Sequence, residues 1–365
     1  MRIAGLASFE FCRKLDGRAW NPAWRWHERR APLLRITAQD GSSGIGEGWS
    51  RPGEIAAFHE RVREAAPSLI GRDAGEIDAI HQELGKPVSW AEAAFASAVD
   101  VALWDLAARR RCVSLHALLD APRDTVPVYA SGGLYEDGKD RNGLAAEMRG
   151  YVARGFLAVK MKIGGLTLED DMARLAAVRA AVGDAVEIIV DAVGQLDPME
   201  APRWIERLAR LGVRSIQAPL ADADVEGMAA LQRDFPIAII AGETEYRHAQ
   251  FERLLQTRAV GMLQFCVGLC GGITGARQLI AAATAAGVEV TLQCYSTAVM
   301  QAATFHAGAV AGVRHAEYHM FHTGLYGAFP PGMSQVREGC VQLGERRGLG
   351  VDDVLAGMRP VVSVD

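Results

Sequence analysis

The sequence predicts an α/β protein whose larger part is a modified (β/α)8 barrel of the TIM type, (β/α)7β-like, preceded by an α+β capping domain. The first observation is that, from residue 126 onward, short β-rich runs alternate with amphipathic helical runs. The second is that strands recur about every 23–30 residues, which is the spacing of parallel βα units. The third is that the helical runs end at glycines, a common helix stop.

The eight predicted strands cover residues 126–132, 156–164, 186–194, 213–220, 236–244, 260–268, 288–296 and 314–320. Eight βα units close most simply into a barrel, here with a shortened or modified last unit. We assign this barrel to residues 126–329. Residues 1–125 lack the alternation of strands and helices. Their pattern indicates a β-hairpin around Asp40-Gly41 followed by helices, which predicts the capping domain. The tail, residues 330–365, is expected to pack back on that domain.

Composition and charge exclude several classes of protein. The 365 residues carry a net charge of −5 without a basic tail or stripe, which argues against nucleic acid as a partner. The N-terminus lacks the pattern of a signal peptide, and no apolar run approaches the roughly 18 residues of a membrane span. The six cysteines show no CxxC spacing, which is typical of reduced thiols. We therefore predict a cytoplasmic protein that does not bind membranes.

The second barrel strand carries two cations inside an apolar stretch. Side chains alternate along a strand, so Lys160 and Lys162 share a face and should point into the barrel, while Met161 points toward the helices. Mutual repulsion and partial burial are expected to lower the pKa of these lysines toward the range of a general base. A solvated surface pair is the alternative, which the apolar neighbours disfavour.

Polar residues also end the other strands, where barrel active sites lie. Strands three to five end near Asp191, Gln217 and Glu243. The later strands offer Cys266, then Cys294 or Tyr295, and finally His315, Glu317 and His319. Asp191 and Glu243 end successive odd strands, three and five, and carboxylates there can converge on Mg²⁺, which prefers oxygen ligands. Each carboxylate taken alone could equally be a loop or helix-capping group.

Several motifs together resemble the enolase superfamily and, within it, the mandelate racemase and muconate-lactonizing branch. They are ALWDLAARR (102–110), VKMKIGG (159–165), VDAVGQLD, AGETEY, LCGGITGARQLIAAATAAGVEV and RGLGVDDV, and they cover nearly the whole chain. The resemblance implies that a base removes the proton α to the carboxylate of a small substrate, while Mg²⁺ stabilises the enediolate.

The resemblance also assigns roles to residues. It implies Lys162 as the base, Lys160 as a neighbour that tunes it or contacts the substrate carboxylate, and Glu317 as a group near the substrate. It implies Asp191 and Glu243 as metal ligands, with Gln217 at the third ligand position. Related proteins commonly form symmetric dimers or octamers, so a homo-oligomer is expected.

Four positions depart from the family pattern. Gln217 stands where the family has a glutamate, so the ligand set loses one negative charge and a weakened Mg²⁺ site is expected. The pairing of a sixth-strand aspartate with a seventh-strand histidine is missing, because Cys266 stands at the first position and Cys294 or Tyr295 near the second. Val193 replaces an asparagine. The eighth strand is unusually rich in histidine.

Other residues have a structural alternative beside a functional one. His315 and His319 could form a relocated base or a metal site, but polar-edge residues near Glu317 are the favoured interpretation. Cys266 and Cys294 are more often packed thiols than nucleophiles. The loop RAWNPAWRWHERR (18–30) could supply an aromatic wall and an anion contact, or merely pack between domains; its candidates are Trp20, Trp24, Trp26, His27 and Arg29.

The sequence supports three hypotheses about function. The first is a lyase, and specifically a dehydratase of an acid sugar or related hydroxy acid, because one base face suits elimination better than racemisation. The second is a divergent or metal-free member that binds a small molecule or acts as a scaffold. The third keeps catalysis but moves it to the strand-eight histidines.

Overall fold

A computed structural model describes residues 1–51, 53–321, 323–351 and 354–365. The capping region contains strands β1 (Ile3–Lys14), β2 (Ala19–Trp20), β3 (Glu28–Ala38) and β4 (Ser43–Glu47), then helices α1 (Ile55–Leu69), α2 (Ile77–Leu84), α3 (Trp90–Arg110) and α4 (Leu115–Leu118). Among the described residues, no helix is both long and apolar enough to cross a bilayer.

The barrel strands are β5 (Thr125–Ser131), β7 (Ala158–Lys162), β8 (Glu187–Asp191), β9 (Ser215–Gln217), β10 (Ala238–Ala241), β11 (Met262–Cys266), β12 (Glu289–Gln293) and β13 (Val313–His319). The short β6 (Tyr135–Glu136) follows β5 and pairs with β2. Helices between the barrel strands are α5 (Arg141–Ala153), α6 (Leu168–Val182), α7 (Ala201–Arg210), α8 (Val225–Asp234), α9 (His248–Gln256), α10 (Gly272–Ala285) and α11 (Ala298–Gly308).

The eight barrel strands are parallel and form a closed ring. Each pairs with the next in chain order, and β13 returns to β5 with Glu317 opposite Tyr129. Within the described ranges, seven helices join the eight strands, so the predicted (β/α)7β-like fold is confirmed. The strands lie within every stretch that the periodicity predicted apart from a shift of one residue at β5 and β13.

The barrel interior changes from apolar to polar along its axis. An apolar cluster fills the amino-terminal end, formed by Tyr129, Ala158, Ile189, Ile240 and Met262. Because alternate residues on a strand face the same side, the next inward positions are Lys160 and Asp191, nearer the carboxyl ends. The fold therefore gathers buried polar side chains on top of a packed apolar floor.

The cap sheet lies very close to helix α3. Gly44 and Gly46 of β4 face that helix, and a Cβ atom at Gly46 would lie 2.0 Å from the carbonyl oxygen of Ala98. Such a distance is possible only without a side chain. The helix itself starts at Ser89, whose hydroxyl accepts a hydrogen bond from the Glu92 amide.

The residue after Gly46, Glu47, joins the cap to the barrel. Its buried carboxylate accepts hydrogen bonds from the side chain of Ser296, from both the amide (3.2 Å) and the hydroxyl (2.5 Å) of Thr297, and from the amide of Met300 (3.0 Å). These amides belong to the amino terminus of α11, where an acceptor is needed. Burial raises the pKa of Glu47, and the bonds oppose that rise.

The tail contacts both parts of the molecule. After a 3₁₀ turn (Tyr326–Ala328) and α12 (Pro331–Ser334), β14 (Cys340–Gln342) pairs with β5 of the barrel. The final strand, β15 (Val362–Val364), pairs with β1 of the cap sheet. The division into residues 1–125, 126–329 and 330–365 stays an interpretation of the sequence.

One pH effect is expected from the contact between the cap and α10. His81 Nδ1 lies 3.5 Å from Asp100 Oδ2, and the other oxygen of Asp100 accepts from the Thr274 amide. Hydrogen bonding to Asp100 raises the pKa of His81 above 6.5. The contribution to stability is therefore complete below pH 6.5 and is lost as the pH rises through the folded-state pKa. Urea unfolding of wild type and His81→Gln between pH 5.5 and 8.5 checks this; parallel pH curves would contradict it.

Candidate active site

A cavity of about 360 Å³ opens where the barrel's carboxyl ends meet the cap. The barrel contributes Ser131, Lys160, Lys162, Val193, Glu243, Thr244, Gln293, Tyr295, Glu317 and His319. The cap contributes Asn21, the segment 24–30, Trp49, Ser50, Arg51 and Ile55. This is the position at which barrel enzymes bind their substrates.

Lys160 is a buried cation held by three oxygen atoms. Its Nζ lies 2.7 Å from Gln217 Oε1, 3.0 Å from Glu317 Oε1 and 3.3 Å from Asp191 Oδ2. Burial lowers the pKa of Lys160, but the charges of Glu317 and Asp191 outweigh it and the pKa is raised well above its usual value. The expectation of a lowered pKa was therefore wrong for this lysine, because carboxylates on two other strands surround it.

Lys162 lies two residues further along β7, nearer the open part of the cavity. Its ammonium group donates to Asp191 Oδ2, and the side chain is only partly buried. The amide of Val193 donates to the other oxygen of Asp191 at 3.0 Å. Burial raises the pKa of Asp191, but Lys162 and Lys160 lower it more, so the net pKa is lowered. Lys162 is thus the lysine best placed to meet a substrate.

Val193, the residue that stands in place of the family's asparagine, has a backbone φ of 54°. A β-branched residue adopts this left-handed conformation only at a cost of about 1–3 kcal/mol. Its side chain lines the cavity beside the lysines. The turn after β8 is therefore kept, while the polar group that an asparagine would place there is lost.

The three predicted metal ligands are neighbours, but Gln217 presents its amide nitrogen, and not its oxygen, to Glu243. Gln217 uses its carbonyl oxygen to accept from Lys160, and its amide nitrogen donates to Glu243 Oε2 at 2.6 Å. Burial and the charge of Asp191 raise the pKa of Glu243 to about 8. In the part of the chain that the structure describes, no group of three or more His, Cys, Asp or Glu side chains is placed to hold a metal ion.

The strand-eight residues share a face, as alternation predicted, but lie at different depths. His315 is deep in the barrel, where its Nδ1 is 2.9 Å from Thr291 Oγ1 and burial lowers its pKa to about 3. Glu317 accepts from the Cys294 amide at 3.0 Å as well as from Lys160. His319 reaches the cavity, with its ring 4.8 Å from that of Tyr295. His315 therefore lies apart from the cavity that Glu317 and His319 line.

Neither cysteine of interest lines the cavity. Cys266 and Cys294 are 1% and 0% exposed. Burial raises the pKa of both thiols well above the usual value, which opposes formation of the nucleophilic thiolate. The structure thus places them as packed thiols.

The tryptophans of the loop 18–30 lie in two different environments. Trp24 is half exposed at the rim of the cavity, and Trp26 packs on Tyr295 with ring centroids 6.1 Å apart. Arg29 lies 4.2 Å over the ring of Tyr295, and His27 also lines the cavity. Trp20 instead stacks on Tyr135 outside this cavity, at 4.4 Å. The loop therefore forms part of the cavity wall and is partly packed elsewhere.

Gln293 is a lining residue that the sequence analysis did not identify. Gln293 is 4% exposed, and its Oε1 has no hydrogen-bond partner among the described residues. It precedes Tyr295 by two positions, so alternation places both on the interior face and turns Cys294 away. Applying that rule to this strand would have identified Gln293 as an amide facing the cavity.

The comparisons with known proteins agree with this architecture. Residues 25–120 match the "Mandelate racemase / muconate lactonizing enzyme, N-terminal domain", and residues 143–353 match the family described as "Enolase C-terminal domain-like". The chain is 30% identical over 325 residues to 3,6-anhydro-alpha-L-galactonate cycloisomerase of Streptomyces coelicolor, covering 87% of each chain. It is 29% identical over 254 residues to arabinonate dehydratase of Saccharolobus solfataricus, covering 70% of this chain and 68% of that one.

Solved structures show the same likeness. L-talarate dehydratase from Polaromonas sp. JS666, complexed with Mg and L-glucarate, superimposes with a TM-score of 0.85 at 27% identity, covering 100% of this chain and 98% of that one. The fold and these relatives define an enzyme of the mandelate racemase type, either a lyase or an isomerase. The chain belongs to the mandelate racemase and muconate-lactonizing branch of the enolase superfamily.

Proposed function

We propose that the protein is a dehydratase that removes the proton α to the carboxylate of a small hydroxy acid and expels water from the adjacent carbon. The observation that carries this proposal is the position of Lys162, a partly buried amine at the cavity wall with Asp191 behind it. In its neutral form this amine accepts the α-proton, and Asp191 then stabilises the ammonium group that results.

The reaction balances with one lysine. The α C–H pair becomes the double bond of the enediolate, and the new Lys162 ammonium can return its proton to the departing hydroxyl on the same face. Water leaves, and the amine is neutral again. The fixed ammonium of Lys160 lines the cavity beside it and supplies positive charge where the enediolate becomes more negative.

The cavity wall formed by β12 favours elimination over racemisation. There the inward-facing residue of β12 is Gln293, an amide that neither takes nor gives a proton near neutral pH. Racemisation needs a proton-transferring group on each face of the substrate carbon. If catalysis instead relies on the strand-eight histidines, the base would be His319 on β13, which lines the cavity.

The relatives support an acid sugar or related hydroxy acid as the substrate class. Their names include an arabinonate dehydratase and an anhydro-galactonate cycloisomerase. In this chain, Trp24, Trp26 and Trp49 contribute flat apolar surfaces to the cavity, and such surfaces suit the carbon-bound face of a sugar or another ring. A homo-oligomer and a cytoplasmic location are part of the proposal, and sedimentation and cell fractionation test them.

Magnesium belongs to the family's chemistry, and the Polaromonas relative is complexed with it. The residues of this chain do not fit the ion as they stand. Between Gln217 and Glu243 lies an amide N–H group rather than a pair of oxygens, and two ammonium groups contact the same oxygen of Asp191. No step of the proposed reaction is therefore assigned to a metal.

The test is α-proton exchange in D₂O. Purified protein is incubated with a panel of acid sugars, their lactones and aromatic hydroxy acids, and deuterium at the α-carbon and loss of water are followed by NMR. The proposal expects exchange or dehydration with at least one hydroxy acid. Exchange in both enantiomers of one substrate would point to a racemase, and tight binding of a carboxylate without exchange would favour the small-molecule-binding alternative.

A further inference from the structure

We propose that the ammonium group of Lys160 takes the place of a divalent cation in this barrel, so that the site works without a metal and Gln217 is the residue responsible. This inference concerns the same site as the proposed function, but cation binding is measured without substrate. The two can therefore fail independently.

The first step is the surroundings of Lys160. Its three N–H bonds have three oxygen partners, one each on β9, β13 and β8: Gln217 Oε1, Glu317 Oε1 and Asp191 Oδ2. The residue is 1% exposed, and the Tyr129 ring lies 5.4 Å from its Nζ. A cation inside a cage of oxygens from several strands is the arrangement expected of a bound metal ion, here supplied by a side chain.

The second step is the direction of the Gln217 amide. An ammonium group only donates hydrogen bonds, so Gln217 must turn its oxygen toward Lys160. Its NH₂ group then faces Glu243, to which it donates at 2.6 Å. Turning the amide over to offer its oxygen beside Glu243 would place N–H hydrogens against the ammonium of Lys160. The lysine and a metal therefore compete for one oxygen.

The third step is charge. The buried cluster holds the carboxyl groups of Asp191, Glu243 and Glu317 and the two lysines, so its net charge is at most one negative unit. Adding a divalent cation would leave an excess of positive charge in a buried place, which is costly. A glutamate at position 217 would supply one further negative charge and two oxygens, and the balance would then favour the cation.

The experiment is calorimetric titration of MgCl₂ into chelator-treated protein, using wild type, Gln217→Glu and Gln264→Glu. Gln264 is a matched control because it is a buried glutamine inside the same barrel, bonded to Tyr129 rather than to Glu243. We expect no binding by wild type or by Gln264→Glu at millimolar Mg²⁺. Gln217→Glu should bind Mg²⁺ at least about tenfold more tightly than the detection limit set by the wild-type titration, because affinity follows the charge of the ligands.

A second variant keeps the inference testable should Gln217→Glu not fold. Lys160→Met removes the competing cation and releases the oxygen of Gln217, so this variant is also expected to gain Mg²⁺ binding. For wild type, the thermal unfolding midpoint should be the same with Mg²⁺ and with chelator, since only an ion bound to the folded state raises it. A raised midpoint with Mg²⁺, or calorimetric binding of millimolar Mg²⁺ by wild type, would overturn the inference.

Discussion

Replacing Lys162 with alanine is expected to lower the rate of α-proton exchange by about 10²–10⁴-fold, the usual contribution of a positioned general base. The reason is geometric: Lys162 is the amine that lines the cavity with only one carboxylate against it, whereas Lys160 has three oxygen partners. Exchange is followed by NMR in D₂O with the best substrate from the panel, and circular dichroism confirms that the variant is folded.

The matched control is Lys86→Ala, because Lys86 is an exposed lysine of the cap outside the cavity. This variant should exchange at the wild-type rate. Full activity of Lys162→Ala would show that Lys162 is not the base. His319, the histidine that reaches the cavity from β13, would then be the candidate. The companion variant His319→Gln then becomes the decisive measurement.

A large loss of stability is expected from a substitution at the contact between β4 and α3. Gly46→Ala should lower the free energy of unfolding by about 3 kcal/mol or more, which is the upper range for overpacking. Its new methyl group would lie 2.0 Å from the Ala98 carbonyl oxygen, and helix backbone cannot turn aside as a flexible side chain can. Urea unfolding measures the change.

Gly150→Ala is the control for this substitution. Gly150 is exposed within α5, and nothing lies within 4 Å of a Cβ added there. Alanine should therefore stabilise the protein by about 1 kcal/mol through helix propensity alone. Equal stability of Gly46→Ala and wild type would show that the cap sheet can move away from α3 at little cost.

Sequence periodicity predicted the barrel because strand and helix periods are local properties. Each strand shows its own alternation, and the number and spacing of strands then leave few possible topologies. The same local rule placed Lys160 and Lys162 on the interior face. Applied to β12, it would also have named Gln293 in place of Cys294.

The state of Lys160 could not be predicted in that way. Its pKa depends on carboxylates from β8 and β13, which come together only when the ring closes. The loop 18–30 shows the same limit, since one tryptophan stacks on Tyr135 and two reach the cavity without any local difference between them. Sequence patterns did not predict contacts between distant segments. The contacts that orient the Gln217 amide, with Lys160 and Glu243, are of this kind.

The pairing of β15 with β1 has a consequence for biosynthesis. β1 is translated before the barrel, and its partner, Val362–Val364, is made only after the whole barrel. Until then one edge of β1 has no strand beside it, and such an edge is a template for pairing with another chain. The nascent protein therefore carries an open edge on β1 while the barrel is being made, and a strand translated after the barrel covers it.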